Sequence, residues 1–538
     1  MSDDKSNKWV ITLTVMTGTV MSAIDMSIVN VALPQMRGSL GASVEEITWV
    51  ATGYMLSNVI IMSIVAMLSS RFGRKRFYLF SVILFTLSSM LCGTAWDLTS
   101  MIVFRVIQGI GGGTLVPVSQ AILRETFPLE EQGTAMGIYG LGVILGPAIG
   151  PTLGGWLTDN YSWPWIFYIN VPVGIVNILL VMRFISDPPY LVREKGKIDI
   201  SGLMLLIIGL GALQLMLEKG GQKNWFESDF ILYLALTAGA GLILFVWREL
   251  ATDKPAADLR ILKNVPFASG TLLGGILSAG LYGGLFLLPL FLQQLLGYPA
   301  YDSGLALMPR SIAMAVTMPV AGRLYNRVGP KALVGSGFMV VAFSFWQLSR
   351  LSLSVGFRDI LIPQFLQGIG FGLVFVALST AALSVIEKQK MTAATGLYNV
   401  VRVIFGSVGI ALAASQLTRA ETIARAFLVE KVMDCRDITT NWLQVLSGAL
   451  VWQGSDPTTA GQQALKLMDG EIMRQASMLA FNHVFLLVAS VFLVSIPLVF
   501  FLKGTGGRES FHRDTMELDR SSYGTPASFN QKGPRKMI

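Results

Sequence analysis

The hexapeptide QGIGGG at 108–113 returns as QGIGFG at 367–372, 259 residues further on. MGIY at 136–139 returns at the same offset as TGLY at 395–398, and SRFGRK at 70–75 is matched by NRVGPK at 326–331, at an offset of 256. Single glycine-rich strings match by chance, but three in one order at nearly one spacing mark a duplicated unit.

The surroundings of these repeats show what kind of unit is duplicated. Of 538 residues 53% are hydrophobic and only 14% charged, with a mean hydropathy of +0.59, whereas a soluble domain carries about 25% charged residues. Apolar runs of roughly the 17–25 residues needed to cross a bilayer recur down the chain. Fourteen spans are predicted, at about 9–31, 47–69, 77–95, 99–122, 133–157, 165–185, 200–217, 229–248, 267–290, 302–321, 332–351, 359–382, 394–415 and 479–502. Spans one to six and nine to fourteen are the two copies, and spans seven and eight are an even-numbered insertion that keeps both copies in one orientation. The expected fold is an all-α integral membrane protein of two six-helix bundles plus two inserted helices, divided as 1–190, 191–264 and 265–502, with a disordered cytoplasmic tail over 503–538. Duplicated halves facing each other are a transporter architecture. The first span follows the leader MSDDKSNK but is too long for a signal-peptide core and shows no clear cleavage site, so it is expected to stay attached.

Charge gives the orientation. Arg71, Arg74, Lys75 and Arg76 follow span two, Arg183, Arg193, Lys195 and Lys197 span six, Arg248, Lys254, Arg260 and Lys263 span eight, and Arg323, Arg327 and Lys331 span ten. The loops after odd-numbered spans carry acids such as Glu45, Glu46, Asp97 and Asp159. Both termini are therefore expected in the cytoplasm, and the net charge of +8 belongs to these loops rather than to a nucleic-acid surface. Two cysteines, Cys92 and Cys435, and two histidines, His483 and His512, are too few and too scattered for a metal cluster or a structural disulfide.

Two features inside the spans stand out. GVILGPAIGPTLGG at 142–155 places Gly142, Gly146, Gly150 and Gly154 at a spacing of four, with Gly155, Pro147 and Pro151 beside them. Glycine costs about 1 kcal/mol and proline about 3 in a helix interior, but a stripe of absent side chains lets a neighbouring backbone approach closely. The stripe is either a sliding or hinging contact or a static packing groove. Asp25 and Arg105 each lie about 6 residues inside the outer end of their spans, so both sit roughly 9 Å deep, at one level. Charges at such depth need partners and mark functional sites by default; these two are each other's obvious partner, as a proton site or as a structural ion pair. Gln108, one turn from Arg105, extends the polar track. Asn30 in span one, Arg310 and Arg402 are further cavity candidates, although either arginine can instead reach toward an interface.

With these motifs in hand the sequence resembles the major facilitator superfamily, and within it the fourteen-helix drug:proton antiporters of the EmrB/QacA type. The resemblance rests on IDMSIVNVALP at 24–34, RFGRK at 71–75, RVIQGIGGG at 105–113, the stretch at 142–155 and WPWIFYINVPVG at 163–174. It implies the major facilitator fold, alternating access, proton coupling at Asp25 and Arg105, an antiporter motif at 142–155 contacting the other half, and a cytoplasmic gating loop of Arg71, Gly73, Arg74 and Lys75. The family's loop motif begins with glycine and has an acid before the arginine, where this chain has Ala66 and Ser70. This chain has no acid there on which to build that latch, and Arg71 and Arg74 serve either the motif or only the inside-positive rule.

Between spans thirteen and fourteen, 416–478 carry apolar and charged residues at helical spacing and read as an external helical hairpin. It either docks a periplasmic membrane-fusion adaptor and, through it, an outer-membrane channel, or caps the outer mouth. The expected activity is proton-driven efflux of amphipathic, cationic or otherwise lipophilic small molecules from the inner membrane, with lipids and protons as the other partners. No cofactor, metal or catalytic residue is expected: no GxxxxGK[ST] motif is present, and a membrane potential supplies about 2.3 kcal/mol per charge per 100 mV. Export of one endogenous metabolite or lipid, or a non-transporting sensor or scaffold, are the alternatives.

Overall fold

The structure is a computed structural model that describes residues 8–128, 130–187, 199–252, 257–434 and 436–502. The expected tail 503–538, Cys435, His512, Arg193, Lys195, Lys197 and Lys254 lie outside the described residues.

Among the described residues all regular elements are helical, as a bilayer requires of a chain whose backbone must satisfy itself. The first half comprises α1 (Lys8–Ser39), α2 (Val44–Ile47), α3 (Trp49–Ser63), α4 (Val65–Phe72), α5 (Arg74–Gly93), α6 (Leu98–Thr126), α7 (Gln132–Asn160), α8 (Trp165–Tyr168) and α9 (Asn170–Phe184). The insertion is α10 (Ile200–Lys219) and α11 (Asp229–Ala251). The second half comprises α12 (Val265–Leu290), α13 (Ala300–Val328), α14 (Pro330–Leu348), α15 (Phe357–Ser384), α16 (Met391–Asp434), α17 (Arg436–Trp452) and α18 (Pro457–Ser495). Thirteen helices are long and apolar enough to span, and the second span, bent by 61° where the stretch Val44–Ser63 meets Val65–Phe72, makes fourteen. The bend sits at Ile64, whose N–H turns back to the Ile61 carbonyl at 3.2 Å, one residue short of the α-helical partner.

The repeat is visible in the backbone. Gly73, between α4 and α5, has φ 87° and ψ 147°, and Gly329, between α13 and α14, has φ 85° and ψ 158°. Only glycine adopts this conformation without strain, and the two stand at the 256-residue offset of SRFGRK and NRVGPK. The inserted pair crosses at Gly209 and Gly241, where a Cβ on Gly241 would fall 2.9 Å from the Gly209 Cα. The end where the pair begins and finishes is tied by Arg248, whose Nε donates to both oxygens of Asp199 at 3.0 and 2.9 Å and so holds that carboxyl down at about 2.

The halves meet at the end of the bundle that carries Lys8. There Gly133 and Gly137 of α7 lie against Gly322 and Met318 of α13. Arg124 Nη2 donates to the Thr380 carbonyl at 2.8 Å, and Asn399 Nδ2 donates to Gln120 Oε1 at 2.7 Å.

The predicted boundaries move most in three helices. α1 runs on to Ser39 with Pro34 inside it. α16 and α18, of 44 and 39 residues, are about 66 and 58 Å long at 1.5 Å per residue, twice the hydrocarbon thickness. The arms read as a separate hairpin over 416–478 are thus continuations of the membrane helices, with α17 between them. The cause is local: 410–434 contain no glycine or proline to end the helix. The arms are held by Arg425 Nη2 donating to Asp469 Oδ1 at 2.8 Å and by Ser477 bonding to Glu421.

Candidate functional site

Asp25 on α1 and Arg105 on α6 meet in the interior of the first half. Asp25 is 0% exposed and Arg105 1%. Arg105 Nη1 donates to Asp25 Oδ2 at 2.7 Å and to Gln108 Oε1 at 2.8 Å, and its Nε donates to the Val50 carbonyl at 3.1 Å. Gln108 Nε2 donates to the other carboxylate oxygen, Asp25 Oδ1, at 2.8 Å. The guanidinium lies over the Tyr54 ring, 4.2 Å from its centroid, an arrangement that stabilises a desolvated cation.

A third donor was not expected. Asn170 Nδ2 reaches the same Asp25 Oδ1 at 2.9 Å and Ser89 Oγ at 3.1 Å. It opens α9, where the sixth span is interrupted after α8, and Ser89 Oγ in turn donates to the Phe167 carbonyl at 2.9 Å. The signal was present in the sequence, a lone amide inside the apolar run YINVPVG. Both Asp25 oxygens are thus engaged, which is the condition under which a buried ion pair recovers its desolvation cost. Chemically the cluster can hold a proton on one carboxyl, and that proton would convert the ion pair to a neutral acid beside a lone guanidinium.

Asn30 is exposed and joins none of these bonds. The two remaining arginines do not extend to an interface. Arg402 lies inside the second half, its Nε donating to Ser278 Oγ at 3.2 Å and its guanidinium 4.6 Å from the Phe375 ring centroid. Arg310 is 3% exposed, turned toward α12 and α15, and has no hydrogen-bond or ionic partner among the described residues.

The glycine stripe of α7 is placed differently from the expectation. A Cβ on Gly146 would fall 2.4 Å from the Ala23 Cβ, on Gly150 1.9 Å from Ser27 Oγ, and on Gly154 2.7 Å from Ile28, all on α1 of the same half. Gly142 faces Val20 at 3.0 Å, Gly155 reaches only Val31 at 3.9 Å, Pro151 is exposed, and the side chain of Pro147 lies outside the described residues. The glycines of 142–155 therefore face α1 of their own half, while Val143 and Ile144 of the same stretch pack against the core of the second half. The glycine contact with that half belongs to Gly133, Gly137 and Gly140, turned about 130° away at 100° per residue. The reason is complementarity of small groups, since α1 offers Ala23 and Ser27 to one stripe and α13 offers Gly322 to the other.

In the loop motif Arg74 is buried and paired with Glu125 at the end of α6, so it does more than mark the positive side. Lys75 donates from Nζ to the Met182 carbonyl at 2.8 Å and from its backbone N–H to Asp187 Oδ1 at 2.7 Å. Among the described residues Ser70 bonds to the Met67 carbonyl of its own helix, and Arg71 is exposed.

Comparison with known proteins agrees with this architecture. A family profile described as Major Facilitator Superfamily matches residues 15–410. The chain is 33% identical over 502 residues to the multidrug export protein EmrB of Escherichia coli strain K12, covering 93% of this chain and 96% of that one. It is 34% identical over 500 residues to EmrB of Haemophilus influenzae, with the same coverage. The crystal structure of the human organic anion transporter MFSD10 superposes with a TM-score of 0.62 at 12% identity, over 92% of this chain and 100% of that one, a likeness of fold alone. The chain belongs to the major facilitator superfamily and, within it, to the EmrB-type multidrug export transporters.

Proposed function

We propose that this multi-pass membrane protein exports lipophilic, amphipathic compounds across the inner membrane in exchange for protons, with both termini in the cytoplasm and Asp25 as the proton carrier. The observation that supports this most directly is the fully buried Asp25, held by Arg105, Gln108 and Asn170 in the interior of the first half. A carboxylate in such a place is costly unless it works. With the positive loops inside, the closed contact at the Lys8 end is the cytoplasmic gate, and the conformation is outward-facing. Protonation of Asp25 would release Arg105 and Gln108 and weaken the packing of α1 on α6. Loss of the proton to the cytoplasm would restore the cluster, so each turnover moves one proton inward for one substrate outward. A preference for cations would need Asp25 freed from Arg105, so we assign the substrate class by lipophilicity first.

We infer further that the projecting ends of α16, α17 and α18 dock a periplasmic membrane-fusion adaptor. Trp452, Val445 and Ile438 are exposed there to 94%, 74% and 72%, large apolar surface that a helix facing water would not ordinarily carry. The decisive experiment is uptake of lipophilic dyes into everted membrane vesicles with and without a pH gradient. Uptake that collapses with the gradient supports antiport, and uptake indifferent to it would refute proton coupling.

A further inference from the structure

The repeat that relates the halves also relates their polar interiors. At the 259-residue offset Arg105 corresponds to Gln364, Gln108 to Gln367 and Asp25 to Gly284; at the 256-residue offset Tyr54 corresponds to Arg310. The second half thus keeps a cation and two amides and lacks the carboxylate.

The structure packs α12 and α15 against α13 at these positions. A Cβ on Gly284 would lie 3.9 Å from Arg310 Nη1, and one on Gly368 would lie 2.3 Å from the Arg310 carbonyl. Gln367 immediately precedes Gly368 and Gln364 stands one turn earlier, so both flank the contact of α13 with α15. Arg310, Gln364 and Gln367 are 3%, 1% and 1% exposed. Arg310 Nη1, Gln364 Oε1 and Gln367 Nε2 are buried without partners, and the one bond among the three residues is Gln364 Nε2 to Gln367 Oε1 at 3.4 Å. In the first half Arg105 and Gln108, the counterparts of Gln364 and Gln367, are bonded to Asp25, and Tyr54, the counterpart of Arg310, carries no charge and pairs with Ser22. A buried guanidinium without a counter-ion is among the costliest groups a membrane protein can hold, and none of the described residues supplies one.

We propose that the missing carboxylate is supplied by the substrate: Arg310, facing Gly284 and near Gln364 and Gln367, binds the anionic head of a lipophilic monoanion, a carboxylate or sulfonate. This rests on the efflux reading and names one substrate class for it. The guanidinium presents paired donors to two oxygens of the head, the Gln367 amide donates to the same group, and Phe345, whose ring would lie 3.0 Å from a Cβ on Gly284, offers apolar surface beside it.

The test uses two amphiphiles of one chain length and fixed charge, decanesulfonate and decyltrimethylammonium, measured by equilibrium binding to the full chain in lipid nanodiscs and by proton-driven uptake in vesicles. Arg310→Gln should weaken decanesulfonate binding at least tenfold, leave decyltrimethylammonium within twofold, and leave the melting temperature unchanged or higher, because an unpaired charge has been removed. Gly284→Asp, which installs the carboxylate within the chain and keeps Arg310, should likewise abolish decanesulfonate binding. Sulfonate binding unaffected by both variants overturns the site, as does an equal loss of both probes together with a fall in melting temperature, which marks a structural role. If the wild type binds decanesulfonate through Arg310 but shows no gradient-driven uptake of any lipophile, the transport reading fails and the site stands.

Discussion

Asn170 and Gln108 donate to one and the same oxygen of Asp25, at 2.9 and 2.8 Å, so the opening residue of α9 is bonded directly to the carboxylate of α1. Loss of this amide should be felt at the proton step. Asn170→Leu removes one of three donors to a buried carboxylate, a cost of about 1–3 kcal/mol, and is expected to lower gradient-driven transport about tenfold at normal membrane levels. Ser89→Ala, which touches Asp25 only through Asn170, should have a smaller effect. Vesicle uptake by the two variants, normalised to protein, checks the order.

Asp25→Asn preserves size but fixes a neutral group. Proton release from proteoliposomes on addition of substrate should vanish, while equilibrium binding of uncharged lipophiles persists. Wild-type proton flux in this variant would place the carrier elsewhere and leave Asp25 as the structural partner of Arg105.

The two glycine faces of α7 should fail in different ways. Gly146→Leu would drive α7 off the backbone of α1, with Ala23 atoms 2.4 and 2.5 Å from the first added carbon, and should lower the melting temperature by several degrees. Gly137→Leu meets the Met318 carbonyl at 2.6 Å across the gate; it should leave the first half intact and shift the population away from the outward-facing state, as read by cysteine accessibility from the cytoplasmic side. Gly155→Ala, with nothing nearer than 3.9 Å, should be silent in both assays.

Arg74 and Glu125 form a mostly buried pair, so removal of either partner strands a charge and costs about 3–5 kcal/mol. Arg74→Ala and Glu125→Ala should therefore each destabilise strongly, and the double variant by less than their sum. Additive losses in thermal denaturation would show that the pair contributes nothing through its contact.

If the projecting ends of α16, α17 and α18 dock the proposed adaptor, Trp452→Ser combined with Val445→Ser should abolish resistance in cells with an outer membrane while uptake in everted vesicles continues. Loss of both activities would identify a folding element instead of a docking surface.

Much of this was legible because membrane sequences are governed by few rules. Fourteen apolar runs could be counted, since each span must satisfy its own backbone, and Asp25 and Arg105 could be paired from depth alone. What escaped was direction. The spacing of Gly142, Gly146, Gly150 and Gly154 fixes a face but not the neighbour that face meets, and α1 rather than the second half fills it. Asn170 was passed over because an amide at a helix opening looks like ordinary cap chemistry. The reach of α16 was missed because the change from apolar to mixed residues near 416 alters the surroundings of a helix without ending it.

The unbroken course of α16 gives the protein a mechanical property. From Thr418, beyond the last core contact at Leu417, to Asp434 the helix projects about 24 Å at 1.5 Å per residue, with no glycine or proline in 410–434 at which to flex. A rigid rod of that length rooted in the second half is a lever: a tilt of ~10° at its base sweeps the tip through about 4 Å. On the proposed reading, an adaptor gripping the tip would be pushed once per transport cycle, and a clamp that held it still would brake the pump from outside the membrane.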